Sequence, residues 1–318
     1  MKKELNLLVE KIRGANSIVI VGHKNPDGDC VCATLALARL IELNFGKVPV
    51  CMYDGNFPNI LDNVPNRTNM RYYGHVDVTR PFDLAFILDY GTEVNIGGLK
   101  NIVDNAGYRI EIDHHKNDNP VANLCLNDDA AAATGEIVFK IANELGWTRD
   151  DTINDLIALS LLTDTGFFKF ARRGTVLRMM ADLVDAGVNI EQLSNLLNNK
   201  PRKAVLTEAA VASRAEFFYR GRVALATVMR DDYKKLDGRS DTILNLLGHI
   251  RGVEYIVMLK QQKDTQTSVS LRSRAKPVNT VAEALGGGGH AFAAGAVVHD
   301  TLENVRARVL DLIGGELK

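Results

Sequence analysis

The sequence carries almost no excess charge of either sign. Its 318 residues include 38 Lys and Arg against 39 Asp and Glu, so the formal net charge is −1. Long nucleic acids are held by many phosphate contacts, and this chain lacks the overall positive field that would favour such binding. The charge balance therefore argues against a protein that binds long duplexes. It agrees with a small substrate that is held by local groups.

Long apolar runs are also missing. No stretch of the sequence approaches the roughly 20 apolar residues of a membrane-spanning helix. Residues 1–6 lack the apolar core of a signal peptide. These absences predict a cytoplasmic protein that does not act at a membrane.

Cysteine is scarce and scattered. The four cysteines are Cys30, Cys32, Cys51 and Cys125, which are too few and too dispersed for a disulfide framework. Cys30 and Cys32 form a Cys-x-Cys pair, a spacing that also suggests zinc. Residues two apart on a helix do not share a face, so we interpret the pair as two small buried side chains near the start of a helix.

The first half of the chain alternates strand and helix patterns. Continuous apolar runs typical of buried parallel strands occur at residues 17–21, 48–53, 84–88 and 109–112. Helical patterns occur at residues 30–44, 131–145, 152–163 and 176–186. This order predicts an α/β domain with a doubly wound, mainly parallel sheet.

The pattern changes in the second half. Residues 190–215 are polar and mostly helical, with Pro201 in the middle, as in a connector. Four strand patterns and three helix patterns follow, which predict a smaller α+β domain. We therefore expect a first domain at residues 1–189, a helical connector at 190–215 and a second domain at 216–318.

Acids and histidines follow the apolar runs of the first half. They are His23, Asp27, Asp29, Asp89, Asp113, His114, His115 and Asp164. Ligands of open α/β sheets bind beyond the carboxyl ends of the strands, so we expect these side chains to converge at one edge of the sheet. Their oxygen and imidazole ligands would suit two hard divalent ions about 3.5–4 Å apart, an arrangement that serves phosphate-ester hydrolysis.

Asp27, Asp29 and Asp164 lie at predicted helix ends. Asp27 and Asp29 flank Gly28 at a helix N-terminus, which favours ionised carboxylates. One aspartate suffices as an N-cap, so the second needs another role. Asp164 lies at a C-terminal helix end, which is unfavourable for an acid; it either faces a cation or is a solvated loop residue.

Asp113, His114 and His115 are adjacent, so their roles should differ. We expect His114 to bind a metal and His115 to contact substrate, while Asp113 orients an imidazole by a hydrogen bond. Asp89 is central in the predicted sheet and is the natural bridge between two ions. Oxygen-rich ligation without thiolates suits manganese or magnesium, and the histidines favour manganese.

The second half contains four consecutive glycines and a histidine at residues 286–290. Glycines let a backbone approach an anion closely. The run lacks the serines and charges of a flexible linker, and it lacks the Gly-Lys-Ser/Thr ending of a nucleotide-triphosphatase loop. Arg272 and Arg274, at the end of a predicted strand, are placed to bind a substrate phosphate, although Arg274 alone also suits a solvated surface position.

Taken together, these motifs resemble the DHH superfamily of phosphoesterases, named for the Asp-His-His signature. The chain is most similar to the subfamily whose DHH-associated C-terminal domain carries a Gly-Gly-Gly-His-x-x-Ala-Ala-Gly motif. Within that subfamily it resembles the bacterial nanoRNase and pAp-phosphatase group over nearly the whole chain. The resemblance implies a cleft between two domains, two divalent metal ions and a homodimer.

The resemblance also implies a role for each site residue. One ion would be held by His23, Asp27 and Asp89, and the other by Asp29, Asp89, His114 and Asp164. His115 would contact the scissile phosphate, with Asp113 and Asp89 completing the catalytic set. The nucleotide would be bound by Arg272, Gly288, Gly289 and His290.

The predicted function is hydrolysis of very short RNA to mononucleotides, together with removal of the 3′-phosphate of pAp. One alternative is cleavage of pApA or cyclic di-AMP, which the absence of sensor or membrane segments disfavours for the cyclic substrate. Another is hydrolysis of inorganic pyrophosphate or polyphosphate, which the glycine-histidine motif fits less well. A non-catalytic nucleotide-binding protein is a third, and the presence of every expected ligand argues against it.

Overall fold

The computed structural model describes residues 2–236 and 240–317, with the backbone alone at Asp241 and His290. The chain divides into two compact units, Met1–Asn199 and Lys200–Lys318. The division falls inside the segment predicted as a helical connector, which breaks next to Pro201 into one helix for each unit. Among the helices of the described residues, none is both long and apolar enough to cross a membrane.

The first unit is built on a six-stranded sheet. Its strands are β1 (Ile18–Val21), β2 (Val50–Tyr53), β3 (Met70–Tyr72), β4 (Leu84–Leu88), β5 (Tyr108–Ile112) and β6 (Leu124–Cys125). The strand order is β3-β2-β1-β4-β5-β6, and each neighbouring pair is parallel. The order reverses between β1 and β4, and such a switch point forms a crevice at the carboxyl ends of the strands where ligands bind.

Helices cover both faces of this sheet. They are α1 (Lys2–Gly14), α2 (Gly28–Phe45), α3 (Lys100–Asp104), α4 (Thr134–Glu144), α5 (Asp151–Asp164), α6 (Gly174–Asp185) and α7 (Ile190–Asn198). Ile18 and Ile20 of β1 belong to the core that includes α2, α4 and α5, whereas Val19 and Val21 belong to a core on the opposite face. Successive strand residues point to opposite faces, so a strand buried on both sides is apolar throughout.

The second unit contains a mixed six-stranded sheet. Its strands are β7 (Glu216–Phe218), β8 (Val223–Val228), β9 (Tyr255–Lys263), β10 (Gln266–Ser273), β11 (Gly288–His290) and β12 (Ala293–Val298), in the order β11-β12-β10-β9-β8-β7. The pair β8 and β9 is parallel and the others are antiparallel. Its helices are α8 (Arg202–Ser213), α9 (Arg230–Tyr233), α10 (Asp241–Gly248), α11 (Asn279–Ala284) and α12 (Leu302–Glu316).

The predicted fold class is confirmed: a parallel α/β sheet is followed by a smaller α+β unit. The elements that the sequence patterns missed are mostly short strands, namely β3, β6, β7 and β11, together with α1, α3 and α9. A strand of two or three residues is too short to show an alternation of polar and apolar side chains. The predicted strand at residues 48–53 begins later, at Val50.

Lys200 and Glu208 form an ion pair at the start of the second unit, with side chains only 8% and 5% exposed. Lys200 also donates a hydrogen bond of 2.7 Å to Thr242. We expect Glu208→Ala to lower the free energy of unfolding of this unit by about 3 kcal/mol, because it leaves a buried charge without its partner. Hydrogen exchange of the α8 amides measures this loss for the second unit by itself.

The matched control removes both charges. Because replacing a buried ion pair by apolar groups is often neutral, the double variant Lys200→Met, Glu208→Leu should recover most of the protection in α8. A double variant as unstable as Glu208→Ala would contradict this account of the pair.

Candidate metal centre

The switch point of the parallel sheet brings the predicted acids and histidines together. His23 lies two residues beyond β1, Asp89 follows β4 directly, and Asp113 follows β5 directly. Because β1, β4 and β5 are adjacent parallel strands, their carboxyl ends present these side chains next to one another.

The start of α2 fixes the position of Asp27. Asp27 is the N-cap of the helix, and its carboxylate accepts a 3.1 Å hydrogen bond from the amide of Cys30. Gly28 follows because α2 begins against the end of α5: a Cβ atom at this position would lie 2.4 Å from Cγ2 of Thr163. The same close approach brings Asp164, the last residue of α5, to the start of α2.

Asp29 is 1% exposed and is held by the start of another helix. Its carboxylate accepts hydrogen bonds from the amides of Thr134 (2.6 Å) and Gly135 (3.2 Å) and from the hydroxyl of Ser160 (2.5 Å). Amides in the first turn of a helix have no partner within that helix, so Asp29 satisfies two donors of α4. The predicted start of α4 at residue 131 is wrong by three residues, because Ala133 stays extended and the helix begins at Thr134.

Asp89 has a strained backbone and a shared carboxylate. Its φ of +53° lies in the left-handed region, which costs a non-glycine residue about 1 kcal/mol or more. One oxygen, Oδ1, lies 3.4 Å from Nε2 of His114, and the other, Oδ2, lies 3.8 Å from Nε2 of His23. The two oxygens therefore face two separate groups of potential ligands.

The other members of these groups lie at similar distances. Nε2 of His23 is 3.6 Å from Oδ1 of Asp27, and Nε2 of His114 is 3.8 Å from Oδ2 of Asp29 and 3.7 Å from Oδ2 of Asp164. These separations are too long for good hydrogen bonds. Donors that bind a common ion at about 2.1 Å lie at most about 4.2 Å apart, so the separations suit shared coordination.

The imidazole of His23 is oriented for coordination. Its Nδ1 lies 3.0 Å from the carbonyl oxygen of Lys24. A carbonyl can only accept, so Nδ1 carries a hydrogen, and Nε2 is the ring nitrogen that faces Asp27 and Asp89. A hydrogen bond from the non-ligating nitrogen is the usual way in which a metal-binding histidine is fixed.

The carboxylates of the cluster favour a positive charge among them. Burial, together with the charges of Asp89 and Asp164, raises the pKa of Asp29 well above its usual range. Burial also raises the pKa of Asp164 to about 6. Although burial lowers the pKa of His114, the nearby carboxylate of Asp89 and the other surrounding carboxylates outweigh burial and raise that pKa to about 10. A divalent cation would supply this charge, so the donor set fits a metal site.

Asp113 orients His115 and is itself fully buried. Its Oδ1 lies 2.8 Å from both the backbone nitrogen and Nδ1 of His115, and its Oδ2 accepts from the amides of Tyr90 (2.9 Å) and Gly91 (2.7 Å). Burial would raise the pKa of Asp113, but these hydrogen bonds lower it. The hydrogen bond that the His115 ring donates to Asp113 in turn raises the pKa of His115, whose side chain remains 39% exposed.

Cys30 lies close enough to His23 and Asp89 to be a third potential ligand. Burial and the charges of Asp89 and Asp27 raise the pKa of its thiol well above the usual range, whereas a metal binds the thiolate. Its sulfur also fills the space beside Gly22, where a Cβ atom would lie 2.0 Å from Sγ. Packing therefore accounts for Cys30, and Cys32 is equally buried.

The last two glycines of the run in the second unit are part of its sheet. Gly288, Gly289 and His290 form β11, which pairs with β12. A Cβ atom at Gly287 would lie 2.1 Å from the carbonyl oxygen of Gly295, and Gly289 has φ +136°. The run is therefore glycine-rich because the backbones approach closely, which is not the behaviour of a flexible linker.

The predicted nucleotide-binding residues meet in the register of this sheet. Arg272 on β10 is opposite Ala293 on β12, which is opposite His290 on β11. The three residues thus occupy one row across neighbouring strands. Arg272 is half-buried and donates a 3.0 Å hydrogen bond to the carbonyl of Leu271, while the side chain of His290 lies outside the described residues.

Comparison with known proteins shows similarity along nearly the whole chain. The DHH family N-terminal domain matches residues 17–163, and the DHHA1 domain matches residues 221–318. The chain is 30% identical to the bifunctional oligoribonuclease and PAP phosphatase NrnA of Thermus thermophilus, over 99% of this chain and 95% of that protein. It is 24% identical to the probable bifunctional oligoribonuclease and PAP phosphatase NrnA of Streptococcus mutans, over 93% of this chain and 94% of that protein.

A solved structure shares the fold. The crystal structure of an exopolyphosphatase-related protein from Bacteroides fragilis superposes with a TM-score of 0.90 at 21% identity, covering 98% of this chain and 95% of that chain. From the two matched domains and the relative that is 30% identical over almost its full length, we conclude that the chain belongs to the DHH family and carries a DHHA1 domain in its second unit.

Proposed function

We propose that this protein is a two-metal phosphoesterase that hydrolyses short oligoribonucleotides to mononucleotides and removes the 3′-phosphate of pAp. The observation that carries the proposal is the carboxylate of Asp89, whose two oxygens face separate ligand groups around His23 and His114. The names of the relatives from Thermus thermophilus and Streptococcus mutans support the substrate class.

The ligand groups suit two divalent ions. One ion would be held by His23, Asp27 and Asp89, and the other by Asp29, Asp89, His114 and Asp164. When bound, such a pair activates water and stabilises the charge that develops on the phosphoryl group. A donor set of carboxylates with two imidazoles favours manganese over magnesium.

The chain's own residues hold and polarise the phosphate. Asp113 accepts a hydrogen bond from Nδ1 of His115 and raises the pKa of this imidazole. In the protonated ring, Nε2 can then donate a hydrogen bond to a phosphoryl oxygen. That bond strengthens as negative charge accumulates on the oxygen, so it stabilises the transition state more than the bound substrate. Asp29 is tied to α4 by two amides, so its carboxylate is already oriented before the substrate arrives.

Nucleotide recognition is proposed for the second unit. A guanidinium such as that of Arg272 binds phosphate through two parallel hydrogen bonds. Gly288 and Gly289, next to the row of Arg272 and His290, leave backbone that an anion can approach closely. A site made of a few such groups agrees with a chain of net charge −1 and with short substrates rather than long ones.

The direct test is a substrate panel with the manganese-loaded protein. We expect mononucleotide release from an RNA dinucleotide and phosphate release from pAp, and slower turnover of cyclic di-AMP and pyrophosphate, as resolved by chromatography. Asp89→Ala should reduce both main activities by about 10³-fold or more, because it removes a ligand of both ions. Asp118→Ala, at a mostly exposed aspartate, is the control and should leave them unchanged. A wild-type protein that cleaves neither nucleotide refutes the proposal, and faster hydrolysis of pyrophosphate favours that alternative.

Metal stoichiometry tests the assignment of ligands independently of activity. We expect two Mn²⁺ ions per chain by calorimetry and electron paramagnetic resonance. His23→Ala and His114→Ala should each lose one ion and keep the other, because each histidine faces a different oxygen of Asp89. His249→Ala, at an exposed residue of the second unit, should retain both. Loss of both ions in each of the first two variants, or of neither, would contradict two separate ligand groups.

Asp113 is predicted to act through His115. Asp113→Asn should lower kcat by roughly 10²-fold with the Mn²⁺ stoichiometry unchanged, because an amide cannot hold the protonated imidazole as the carboxylate does. His115→Ala should cause a similar loss, and the double variant should be little worse than either single one, since the two residues act as a unit. Losses that multiply in the double variant would show that Asp113 acts by another route.

A further inference from the structure

A pocket of about 910 Å³ lies in the first unit at the carboxyl ends of β2 and β3. Its lining includes Tyr53, Arg67, Arg71, Tyr72 and His75. The volume is that of a typical small-molecule site. None of these five residues belongs to the two ligand groups of the metal centre, so the pocket needs its own explanation.

The pocket and the metal centre share a loop. Asn25 lies between His23 and Asp27; its backbone nitrogen donates to the carbonyl of Asp54 (2.9 Å), and its Oδ1 accepts from the amide of Asn56 (2.9 Å), which lines the pocket. Strands β1, β2 and β3 are consecutive neighbours in the sheet. At about 4.8 Å per strand, the pocket lies roughly 7 Å to the side of the end of β1, which precedes His23, and roughly 12 Å to the side of the end of β4, which precedes Asp89. A nucleoside with its phosphate can span that offset.

Aromatic faces form one part of the pocket. The ring centroids of Tyr53 and Tyr72 are 5.7 Å apart, and the rings of Tyr72 and His75 are 5.2 Å apart in an edge-to-face arrangement. Both tyrosines are half-buried, so each ring has packed and accessible parts. Bases stack on such rings with little dependence on sequence.

Two arginines supply positive charge. The guanidinium of Arg67 lies 3.5 Å from the ring centroid of Phe57, and its Nε lies 3.8 Å from a carboxylate oxygen of Asp62. Arg71 is exposed on β3, next to Tyr72. One aspartate, Asp77, also lines the pocket. The lining residues therefore combine arginine with aromatic rings, the combination that binds single-stranded nucleotides.

We propose that this pocket binds the nucleoside that keeps the scissile phosphate after cleavage, with its base against Tyr53, Tyr72 and the guanidinium of Arg71. The inference rests on the proposed function and extends it, because it assigns a place to the second nucleotide of an oligonucleotide. A substrate with one base, such as pAp, has no second base to place there. The pocket therefore contributes to the binding of oligonucleotides and not to the binding of pAp.

The test compares the two substrates in pocket variants. Tyr72→Ala and Arg71→Ala should each raise KM for an RNA dinucleotide by roughly 10-fold, the usual size of a lost stacking or cation–π contact to a base, and should leave pAp hydrolysis within about twofold of the wild type. Tyr72→Phe keeps the ring and should behave as the wild type. Arg13→Ala, at an exposed arginine of α1, is the matched charge control. Equal losses on both substrates, or no loss on either, would overturn the proposal.

Substrates that lack one base test the stacking contact directly. Two dinucleotides are compared, each with one of its two bases replaced by an abasic sugar. For the substrate that lacks the stacked base, the KM of the wild type should equal the KM of Tyr72→Ala for the intact dinucleotide. Tyr72→Ala should then not raise the KM for this abasic substrate any further. If both abasic substrates remain as sensitive to Tyr72→Ala as the intact one, no base stacks on this ring.

A binding measurement separates this proposal from the proposed function. Fluorescence anisotropy of a labelled dinucleotide measures its binding to the protein whether or not hydrolysis occurs. If the wild type cleaves neither pAp nor the dinucleotide, the proposed function fails, and weaker binding by Arg71→Ala than by Arg13→Ala still supports the pocket. Equal binding by these two variants overturns the pocket, even when both cleave the dinucleotide.

Discussion

The packing of four carboxylates around two imidazoles at the carboxyl ends of parallel strands is the constraint on which the first unit depends. Like charges at these separations repel, and the raised pKa values of Asp29 and Asp164 record that repulsion together with burial. The fold tolerates the cluster because three separate elements hold the four acids: the start of α2, the end of β4 and the end of α5. Two helices, α2 and α5, meet at Gly28 so closely that only a glycine fits, and this contact brings three of the acids together.

Two buried aspartates of the site show that burial alone does not decide the charge of a carboxylate. Asp29 and Asp113 are both almost inaccessible to solvent, yet their pKa values shift in opposite directions. Asp113 accepts hydrogen bonds from two amides of the loop after β4 and from His115, and these bonds lower its pKa. Asp29 also accepts from amides, but it faces Asp89 and Asp164. The first carboxylate is therefore suited to orient an imidazole, and the second to meet a cation.

The sequence predicts the potential metal ligands better than it predicts the residues that hold them in place. Parallel strands align their carboxyl ends, so residues such as His23, Asp89 and His114 could be placed together from the order of the apolar runs. The partners of Asp29 could not, because Thr134 and Ser160 lie 105 and 131 residues away and are ordinary polar residues of helical segments. The aromatic and arginine residues of the pocket were not predicted from the sequence for a related reason. Strand β3 has only three residues, so its pattern does not show that Tyr72 lies beside Tyr53.

The left-handed backbone of Asp89 has a consequence for how this protein tolerates change. A glycine at this position would relieve the strain at the end of β4 and would suit the local conformation better than the aspartate does. The position is therefore one where folding and chemistry prefer different amino acids. A search for more stable variants that ignores activity would therefore favour a substitution that removes the carboxylate shared by both ligand groups. Stability is a misleading guide to fitness at this residue.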